Sequence, residues 1–447
     1  MAEIAPFRGQ RYNQKKIPDL AQVVIPPYDV ISPEEQKVFH ERNPYNFIRL
    51  ELGLPASEDS AQDNPHTRAA AFIRQWVDQG IFIRNPHPSI YYTELDFKDG
   101  SGASRTRKGF ICALRLEDFA SGRVLPHEKT FRAIKDERLA LMLACNANLS
   151  PIFALYPDSD EKILHVLASG RSADPAIHFT DFFGLTHRVW PVTHGPILEQ
   201  VHNLMVDKPI FIADGHHRYE TALSYRNVFR EREGAVNPNA SYEYVMVYLT
   251  DMDEPGLTIL PTHRLLRNLG AWDPGQFIEK AKSCFDVQRF DPENGEGLGW
   301  KDVIGAGGRR KETTIGFCCR GARFIYVLTA KREAVSSLLA SKKTPDLLKT
   351  LDVVILDQVL LRDILEVSEQ FLANEHNIAF RHDFSEAFEE IKSGRYDAGF
   401  FINHTRIEQV REIASAGLIM PHKSTYFYPK VTSGLVINPL YPGEEIF

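Results

Sequence analysis

The sequence predicts a mixed α/β protein, of the α+β kind, built from two domains. Its 447 residues are too many for one hydrophobic core of ordinary size. Apolar runs typical of strands alternate with stretches of helical spacing along most of the chain. Beyond residue 268, strand and helix follow each other in short βα units. We therefore predict a core domain over residues 1–267 and a smaller C-terminal βα domain over residues 268–447.

Composition narrows the class of protein. Hydrophobic residues make up 43% and charged residues 25% of the chain, and the net charge is −7. This acidic balance argues against a broad nucleic-acid surface, and no basic helix-turn-helix is visible. The five cysteines form no C-x-x-C pair, and no apolar run reaches the ~18 residues that a membrane span needs. We expect a cytoplasmic protein that binds neither nucleic acid nor membrane.

Local signals predict the elements of the first domain in order. Ser32 before Pro33 is typical of a helix N-cap, whereas "NFIRLELG" after the turn at Asn43 predicts a short strand. "SIYYTELDF" and "RKGFICALRLEDF" alternate like paired strands. A helix is predicted over residues 135–145 and a strand over residues 151–156. In the second domain, the glycines of residues 305–308 precede a strand, and we predict a hairpin turn there.

The stretch "KPIFIADGHHRYETALSYR", Lys208 to Arg226, carries the densest chemistry of the chain. Its continuous apolar run is typical of a strand buried on both faces, and Gly215 permits a sharp turn. From His216 the spacing becomes helical. The backbone N–H groups at such a helix start and the helix dipole favour an anion.

The side chains at this turn suit phosphate chemistry. Arg218 supplies a forked cationic donor, and with Gly215 it is predicted to bind phosphate. His216 and His217 are candidates for proton transfer or for further phosphate contacts. Asp214, at the end of the strand, is a candidate Mg²⁺ ligand or acceptor of a hydroxyl proton. Adjacent histidines point in different directions at a helix start, so we predict no metal site made by both.

The Asp214–Arg218 motif resembles the phosphate-binding motif of the ParB/sulfiredoxin-like superfamily, in the form found in archaeal ADP-dependent free-serine kinases. Nearly the whole chain resembles a widespread family catalogued as a domain of unknown function, family 1015. Segments that carry this resemblance are "PPYDVIS", "NPYNFIRLEL", "LPHEKT", "NLSPIFALY", "FIADGHHRYETAL", "GLTILPTHR" and "MPHKSTYFYPKVTSGLV". The resemblance implies a ParB/sulfiredoxin-like nucleotide-binding core with additional strands.

Two further segments contain candidate site residues. In "VLPHEKT", His127 is predicted to contact phosphate or nucleotide and Glu128 to act as a general base. In "MPHKSTYFYPK", Lys423 and Ser424 are predicted to contact phosphate, and the aromatic residues suit stacking on a base. We expect the last segment, residues 418–436, to return to the cleft of the first domain and to close it.

The leading hypothesis is a small-molecule kinase or phosphotransferase that uses a nucleotide, ADP or ATP, with Mg²⁺. The resemblance implies free serine or a related hydroxy-amino acid as the acceptor. One alternative is a nucleotide-binding regulatory module without turnover. Another is a metal-dependent phosphohydrolase that uses His127, Glu128 and His217 with an ion. The expected partners are a small-molecule substrate and the nucleotide, and a homodimer is compatible with the sequence. Alanine at His217 or Arg218 is expected to abolish nucleotide binding or turnover and to leave the fold intact.

Overall fold

The computed structural model describes residues 3–100, 102–234, 236–291, 299–321, 323–374, 376–441 and 443–446. The strands, in chain order, are β1 (Ile4–Ala5), β2 (Gln10–Tyr12), β3 (Phe82–Arg84), β4 (Ile90–Lys98), β5 (Ser104–Arg115), β6 (Val124–Leu125), β7 (Ala147–Asn148), β8 (Ile152–Tyr156), β9 (Ile177–Thr180), β10 (Thr186–Val192), β11 (Ile210–Asp214), β12 (Tyr244–Asp251), β13 (Thr258–Leu260), β14 (His263–Leu266), β15 (Phe285–Phe290), β16 (Thr314–Cys319), β17 (Ile325–Ala330), β18 (Ile378–Arg381), β19 (Ala398–Phe401), β20 (Tyr426–Tyr428) and β21 (Asn438–Pro439).

The helices lie between and beside these strands. They are α1 (Pro33–Arg42), α2 (Ile48–Glu51), α3 (Pro65–Asp78), α4 (Arg132–Cys145), α5 (Lys162–Ser169), α6 (Gly195–Met205), α7 (His216–Glu233), α8 (Pro274–Ala281), α9 (Gly299–Arg309), α10 (Arg332–Ser341), α11 (Asp352–Ile355, continued by a π-helical segment, Leu356–Ile364), α12 (Glu369–Ala373), α13 (Phe384–Lys392) and α14 (Ile407–Ser415). The predicted mixed α/β class is confirmed.

The chain divides into two compact units. The first comprises Met1–Pro126, Thr130–Thr258 and Pro429–Phe447, and the second comprises His127–Lys129 and Ile259–Tyr428. This division differs from the predicted boundary at residues 267 and 268, because β14 pairs with β18 and β19 of the second unit. Of the segment predicted to return to the first domain, residues 418–436, only the part from Pro429 onward belongs to the first unit.

The first unit contains a nine-stranded mixed sheet. The order is β6-β11-β8-β12-β5-β4-β10-β9, with β1 paired to β5. Strand β11 lies next to the edge strand β6 and has a neighbour on each side, since it runs parallel to β6 and antiparallel to β8. Four of its five residues are buried, as its apolar sequence predicts. The main core includes Ile210 and Ile212 of β11 together with Tyr219 and Ala222 of α7, so strand and helix share one core.

The second unit contains a six-stranded sheet in the order β15-β17-β16-β19-β14-β18. All its strand pairs are antiparallel, although strands and helices alternate in the sequence. Its core includes Leu265, Trp300, Ile391 and Phe401.

Two local predictions are wrong. The segment predicted as a strand after Asn43 contains the short helix α2, because the side chain of Asn46 accepts the N–H of Ile48 at 3.0 Å and donates to the Gln22 carbonyl at 2.8 Å. The predicted hairpin turn at residues 305–308 lies inside α9. A Cβ at Gly307 would lie 2.1 Å from Thr314 Oγ1. The glycines there permit close packing of the helix and do not form a turn.

Candidate functional site

The turn between β11 and α7 has the predicted strand–glycine–helix form. Strand β11 ends at Asp214, Gly215 has a φ of +91°, and α7 begins at His216. A residue with a side chain rarely adopts this backbone conformation. A Cβ at Gly215 would also lie 3.0 Å from the guanidinium of Arg218. Glycine is therefore required here both by the backbone and by the neighbouring arginine.

Helix α7 begins behind a glycine. Gly215 occupies the N-cap position and has no side chain with which to cap the helix. The first amide of the regular helical ladder is that of Tyr219, which donates to the Gly215 carbonyl at 3.0 Å. The N–H groups before it have no acceptor within the helix, and they point along the axis in the direction that an anion prefers.

Asp214 lies between two cations. Its Oδ2 accepts a hydrogen bond from Nη2 of Arg218 at 2.8 Å, and its Oδ1 accepts one from Nζ of Lys430 at 2.5 Å. The three side chains are between 11% and 13% exposed, so solvent screens them weakly. The group carries a net charge of +1, which adds to the positive end of the helix dipole.

The guanidinium of Arg218 is fixed on two sides. Besides Asp214, it donates through Nη1 to the carbonyl of Pro151, the residue before β8. Burial acts to lower the pKa of Arg218, but the negative charges of Asp214 and Asp29 outweigh it and hold the pKa above its usual range. Arg218 is therefore charged and held in one orientation.

A second layer of charge lies behind Arg218. Arg138 of α4 donates to the backbone carbonyl of Glu51 at 2.9 Å and lies 3.5 Å from its carboxylate. The guanidinium of Arg138 also lies 4.3 Å from the ring centroid of Tyr28. Ser150 donates to Glu51 at 2.9 Å. Burial raises the pKa of Glu51 above its usual range, although Arg138 and Arg218 act in the opposite direction.

A cavity of about 50 Å³ adjoins this layer. Its polar lining includes Glu51, Arg138, Arg218 and Thr221. The hydroxyl of Thr221 is buried and has no hydrogen-bond partner among the described residues. A space of this size accommodates a few water molecules and no nucleotide.

The two histidines of the turn differ. His216 is buried, at 5% exposed. His217 is partly exposed, and its Nε2 accepts the backbone N–H of Phe131 at 2.8 Å. Since Nε2 is an acceptor in this bond, the neutral imidazole has its proton on Nδ1. The rings of Phe131 and His217 stack with their centroids 6.0 Å apart and an interplanar angle of 18°.

The other predicted site residues lie in the second unit. His127 is fully buried, and its Nε2 lies 3.0 Å from Thr425 Oγ1. Glu128 is half-buried, pairs as an isolated bridge with Met420, and contributes to the charge environment of Arg264. The roles predicted for His127 and Glu128 stay predictions.

Lys423 and Ser424 belong to a tightly bonded loop. Ser424 is 2% exposed and donates to the Pro421 carbonyl at 2.6 Å, so its hydroxyl is engaged within the loop. Thr405 donates to the Ser424 carbonyl at 2.7 Å, and Arg264 donates to the Lys423 carbonyl at 2.9 Å. Lys423 has a φ of +54°, which is uncommon for a residue with a side chain. Burial of Ser424 argues against its predicted contact with phosphate.

Three groups beside the turn were not predicted from the sequence as site residues. Lys430 binds Asp214, although the two residues are 216 positions apart in the sequence. The lysine predicted to contact phosphate was Lys423, in the same segment. The Pro151 carbonyl and the carboxylate of Glu51 were missed because backbone acceptors and lone acids have no motif. The family resemblance gave a weak indication of these residues. The segments that carry it also contribute residues to this charged group: "PPYDVIS", "NPYNFIRLEL", "NLSPIFALY" and "YPKVTSGLV".

The sequence profile of a family described as "Protein of unknown function (DUF1015)" matches residues 4–354. The chain belongs to this family. The membership predicted from the motifs is thereby confirmed. Among curated proteins, none matches the chain by sequence.

Solved structures show a distant likeness. A conserved hypothetical protein from Pyrococcus furiosus is 13% identical, with 69% of this chain and 89% of that chain covered and a TM-score of 0.32. A free serine kinase variant in complex with ADP is 11% identical, with 68% and 84% covered and a TM-score of 0.33. SbnI with a C-terminal truncation, from Staphylococcus aureus, is 9% identical, with 75% and 91% covered and a TM-score of 0.31. TM-scores of this size carry no conclusion about function.

Two features are absent from the part of the chain that the structure describes. Within it, no three His, Cys, Asp or Glu side chains are grouped so that they could hold a metal ion. No helix within it is both long and apolar enough to cross a membrane.

Proposed function

We propose that the chain is a phosphotransferase that binds the phosphates of a nucleotide at the Asp214–Arg218 turn and transfers a phosphoryl group to a small-molecule acceptor. The observation that supports this proposal is the helix start at Gly215 with a largely shielded group of three side chains, Arg218–Asp214–Lys430, beside it. These three side chains alone sum to a charge of +1, and Asp29 adds negative charge near Arg218. Helix dipole and cations act in the same direction, because both stabilise negative charge at the turn.

Phosphoryl transfer needs mainly cationic groups in fixed positions, and Arg218 and Lys430 are such groups. The protein must position the phosphates and neutralise the charge that they carry into the transition state. Arg218 is held in one orientation by Asp214 and the Pro151 carbonyl, so it needs no reorganisation when a phosphate arrives. In this arrangement Asp214 orients the two cations.

A magnesium ion that arrives with the nucleotide fits this donor set better than a resident metal. Mg²⁺ in phosphoryl-transfer sites is commonly held by one or two carboxylates together with the phosphates themselves. Both oxygens of Asp214 accept hydrogen bonds from cations, Arg218 and Lys430, so Asp214 would hold Mg²⁺ only after one of these cations moves to a phosphate. The ion itself would neutralise the phosphate oxygens. The hydrolase alternative requires an ion held by His127, Glu128 and His217, and phosphate release without a nucleotide would favour it.

The acceptor to test first is free serine or a related hydroxy-amino acid, which the resemblance of the Asp214–Arg218 motif to free-serine kinases suggests. The regulatory-module alternative differs only in turnover. It predicts binding of the nucleotide without a phosphorylated product.

A thermal-shift panel tests the proposal. ATP, ADP, CTP, GTP and pyrophosphate are compared with and without Mg²⁺, since a ligand at about 100 times its Kd stabilises the folded state by about 2.7 kcal/mol. We expect stabilisation by pyrophosphate and by at least one nucleotide. Lys430→Met should remove it, and Lys349→Met, at a lysine of the second unit, is the matched control. If no phosphate compound stabilises the wild-type protein, the proposal is wrong.

A further inference from the structure

An exposed aromatic residue lies beside the predicted phosphate site. Phe131, the residue before α4, is 48% exposed, and Ile134, three positions on, is 36% exposed. Positions i and i+3 at a helix start lie on one side of the helix. Large apolar side chains are usually removed from water, so an exposed Phe–Ile pair next to a polar site calls for an explanation.

Several contacts fix Phe131 relative to the turn. Its backbone N–H donates to Nε2 of His217 at 2.8 Å, and its ring stacks on the His217 imidazole. Glu220, one turn further along α7, accepts hydrogen bonds from Thr130 at 2.7 Å and from Lys135 at 2.5 Å. The start of α4 is thus bonded to the first turns of α7 on both sides of Phe131. The exposed ring has a defined position and is not a loose surface side chain.

The distances suit a nucleotide. His217 is two residues from Gly215, and the Phe131 ring centroid lies 6.0 Å from the imidazole centroid. The ring therefore lies beside the first turn of α7, where the phosphates are proposed to bind. Stacking on an aromatic ring accepts any base, because every base has a π face.

We propose that Phe131, supported by the His217 imidazole, is the stacking surface for the base of the nucleotide, with Ile134 at its edge. This inference rests on the proposed function, because it needs phosphates at the Gly215 turn. It identifies the ligand as a nucleotide and not a bare polyphosphate. It also predicts weak selectivity among bases, with the larger purines bound more tightly than the pyrimidines.

The test compares nucleotide with pyrophosphate. Dissociation constants for ATP, CTP and pyrophosphate are measured by titration calorimetry for the wild-type protein, Phe131→Ala and Phe131→Tyr. Phe131→Ala should weaken ATP binding roughly ten- to hundredfold and leave pyrophosphate binding within about twofold. The backbone N–H that donates to His217 is retained in both variants, and Phe131→Tyr should bind ATP like the wild type. Phe183→Ala, at a distant hairpin residue that is 56% exposed, is the matched control and should change nothing.

Each other result has a definite meaning. If pyrophosphate binds and ATP binds no more tightly, the base makes no contribution, so this inference fails and the phosphate site stands. If ATP binds more tightly than pyrophosphate but Phe131→Ala does not affect it, the base binds elsewhere. An equal loss for ATP and pyrophosphate in Phe131→Ala would mean that Phe131 only positions His217. If neither ligand binds the wild-type protein, the proposed function and this inference fail together.

Discussion

The turn Asp214–Arg218 and the loop Pro421–Thr425 have similar residue types but use them differently. In the turn, the Arg218 and Asp214 side chains bind each other at the start of an 18-residue helix, beside a glycine with no side chain. In the loop, the Ser424 hydroxyl and the Lys423 carbonyl are bonded to groups that shape the loop itself.

This difference shows what the sequence pattern measures. A cluster of lysine, serine and arginine in the sequence predicts hydrogen-bonding and charged side chains. Their partners in the structure decide whether these side chains can bind a ligand or instead hold a loop together. Arg218 and Arg264 illustrate it. Both are buried, but Arg218 is balanced by carboxylates and keeps its pKa above the usual range, while burial lowers the pKa of Arg264 to about 10. Arg264 donates mainly to backbone carbonyls, as a residue that organises a loop does.

The largest effect is expected from Arg218→Ala. It removes the partner of Asp214 and of the Pro151 carbonyl in a buried position, so the free energy of unfolding should fall by about 3 kcal/mol. Pyrophosphate affinity, measured by calorimetry below the unfolding temperature, should fall at least about a hundredfold. Arg264→Ala should also destabilise the protein but retain its affinity for pyrophosphate. If both variants lost pyrophosphate affinity equally, the proposed difference between the turn and the loop would be wrong.

His263 gives the next largest effect, as a pH dependence in the second unit. Burial, then the positive charges nearby, lower its pKa from 6.5 to about 3, so the folded state holds it neutral. The unfolded chain binds a proton below pH 6.5 and the folded one does not, so its contribution to stability is complete above pH 6.5 and is lost on acidification. Between pH 6.5 and about pH 5 the loss should be about 2 kcal/mol.

Urea unfolding at both pH values measures this effect. His263→Asn retains an acceptor for the Ile402 N–H and should remove that part of the pH dependence, whereas His376→Asn, at an exposed residue, should not. An unchanged pH dependence in His263→Asn would show that other groups produce it.

Gly215→Ala and Lys423→Gly should have opposite effects on the free energy of unfolding. Alanine at a φ of +91° is strained and pushes on the Arg218 guanidinium, so stability should fall by about 1–2 kcal/mol and pyrophosphate binding should weaken. Glycine relieves the φ of +54° at Lys423, and stability should stay equal or rise by up to about 1 kcal/mol. Turnover measured in Lys423→Gly then tests the predicted role of its amine separately from stability.

The smallest effect is expected from Ser424→Ala. It removes one buried hydrogen bond, to the Pro421 carbonyl, and should cost about 1 kcal/mol of unfolding free energy. Nucleotide and pyrophosphate affinities should not change. A loss of affinity larger than the loss of stability would return Ser424 to the list of phosphate ligands.

The local parts of the site were predictable from the sequence. The strand, the glycine turn and the helix of residues 210–233 agree with prediction, since an apolar run, a glycine and helical spacing act over neighbouring residues. The helix cap at Ser32 was predicted for the same reason, and the capping box with Glu35 is present. The glycines of α9 were wrongly predicted to form a hairpin turn. Their close packing against Thr314 depends on a residue outside the glycine-rich stretch, so a local sequence pattern does not show it.

By itself, the sequence determined the family, the mixed α/β class and the position of an anion-favouring helix start. Only the tertiary structure decided which charges meet there. Lys430, Pro151 and Glu51 approach Arg218 and Asp214 from distant parts of the chain, and such contacts depend on how strands pair and helices pack. Backbone propensities act over a few residues, whereas electrostatic partners are selected by proximity in space, and a single sequence encodes that proximity only through the complete fold.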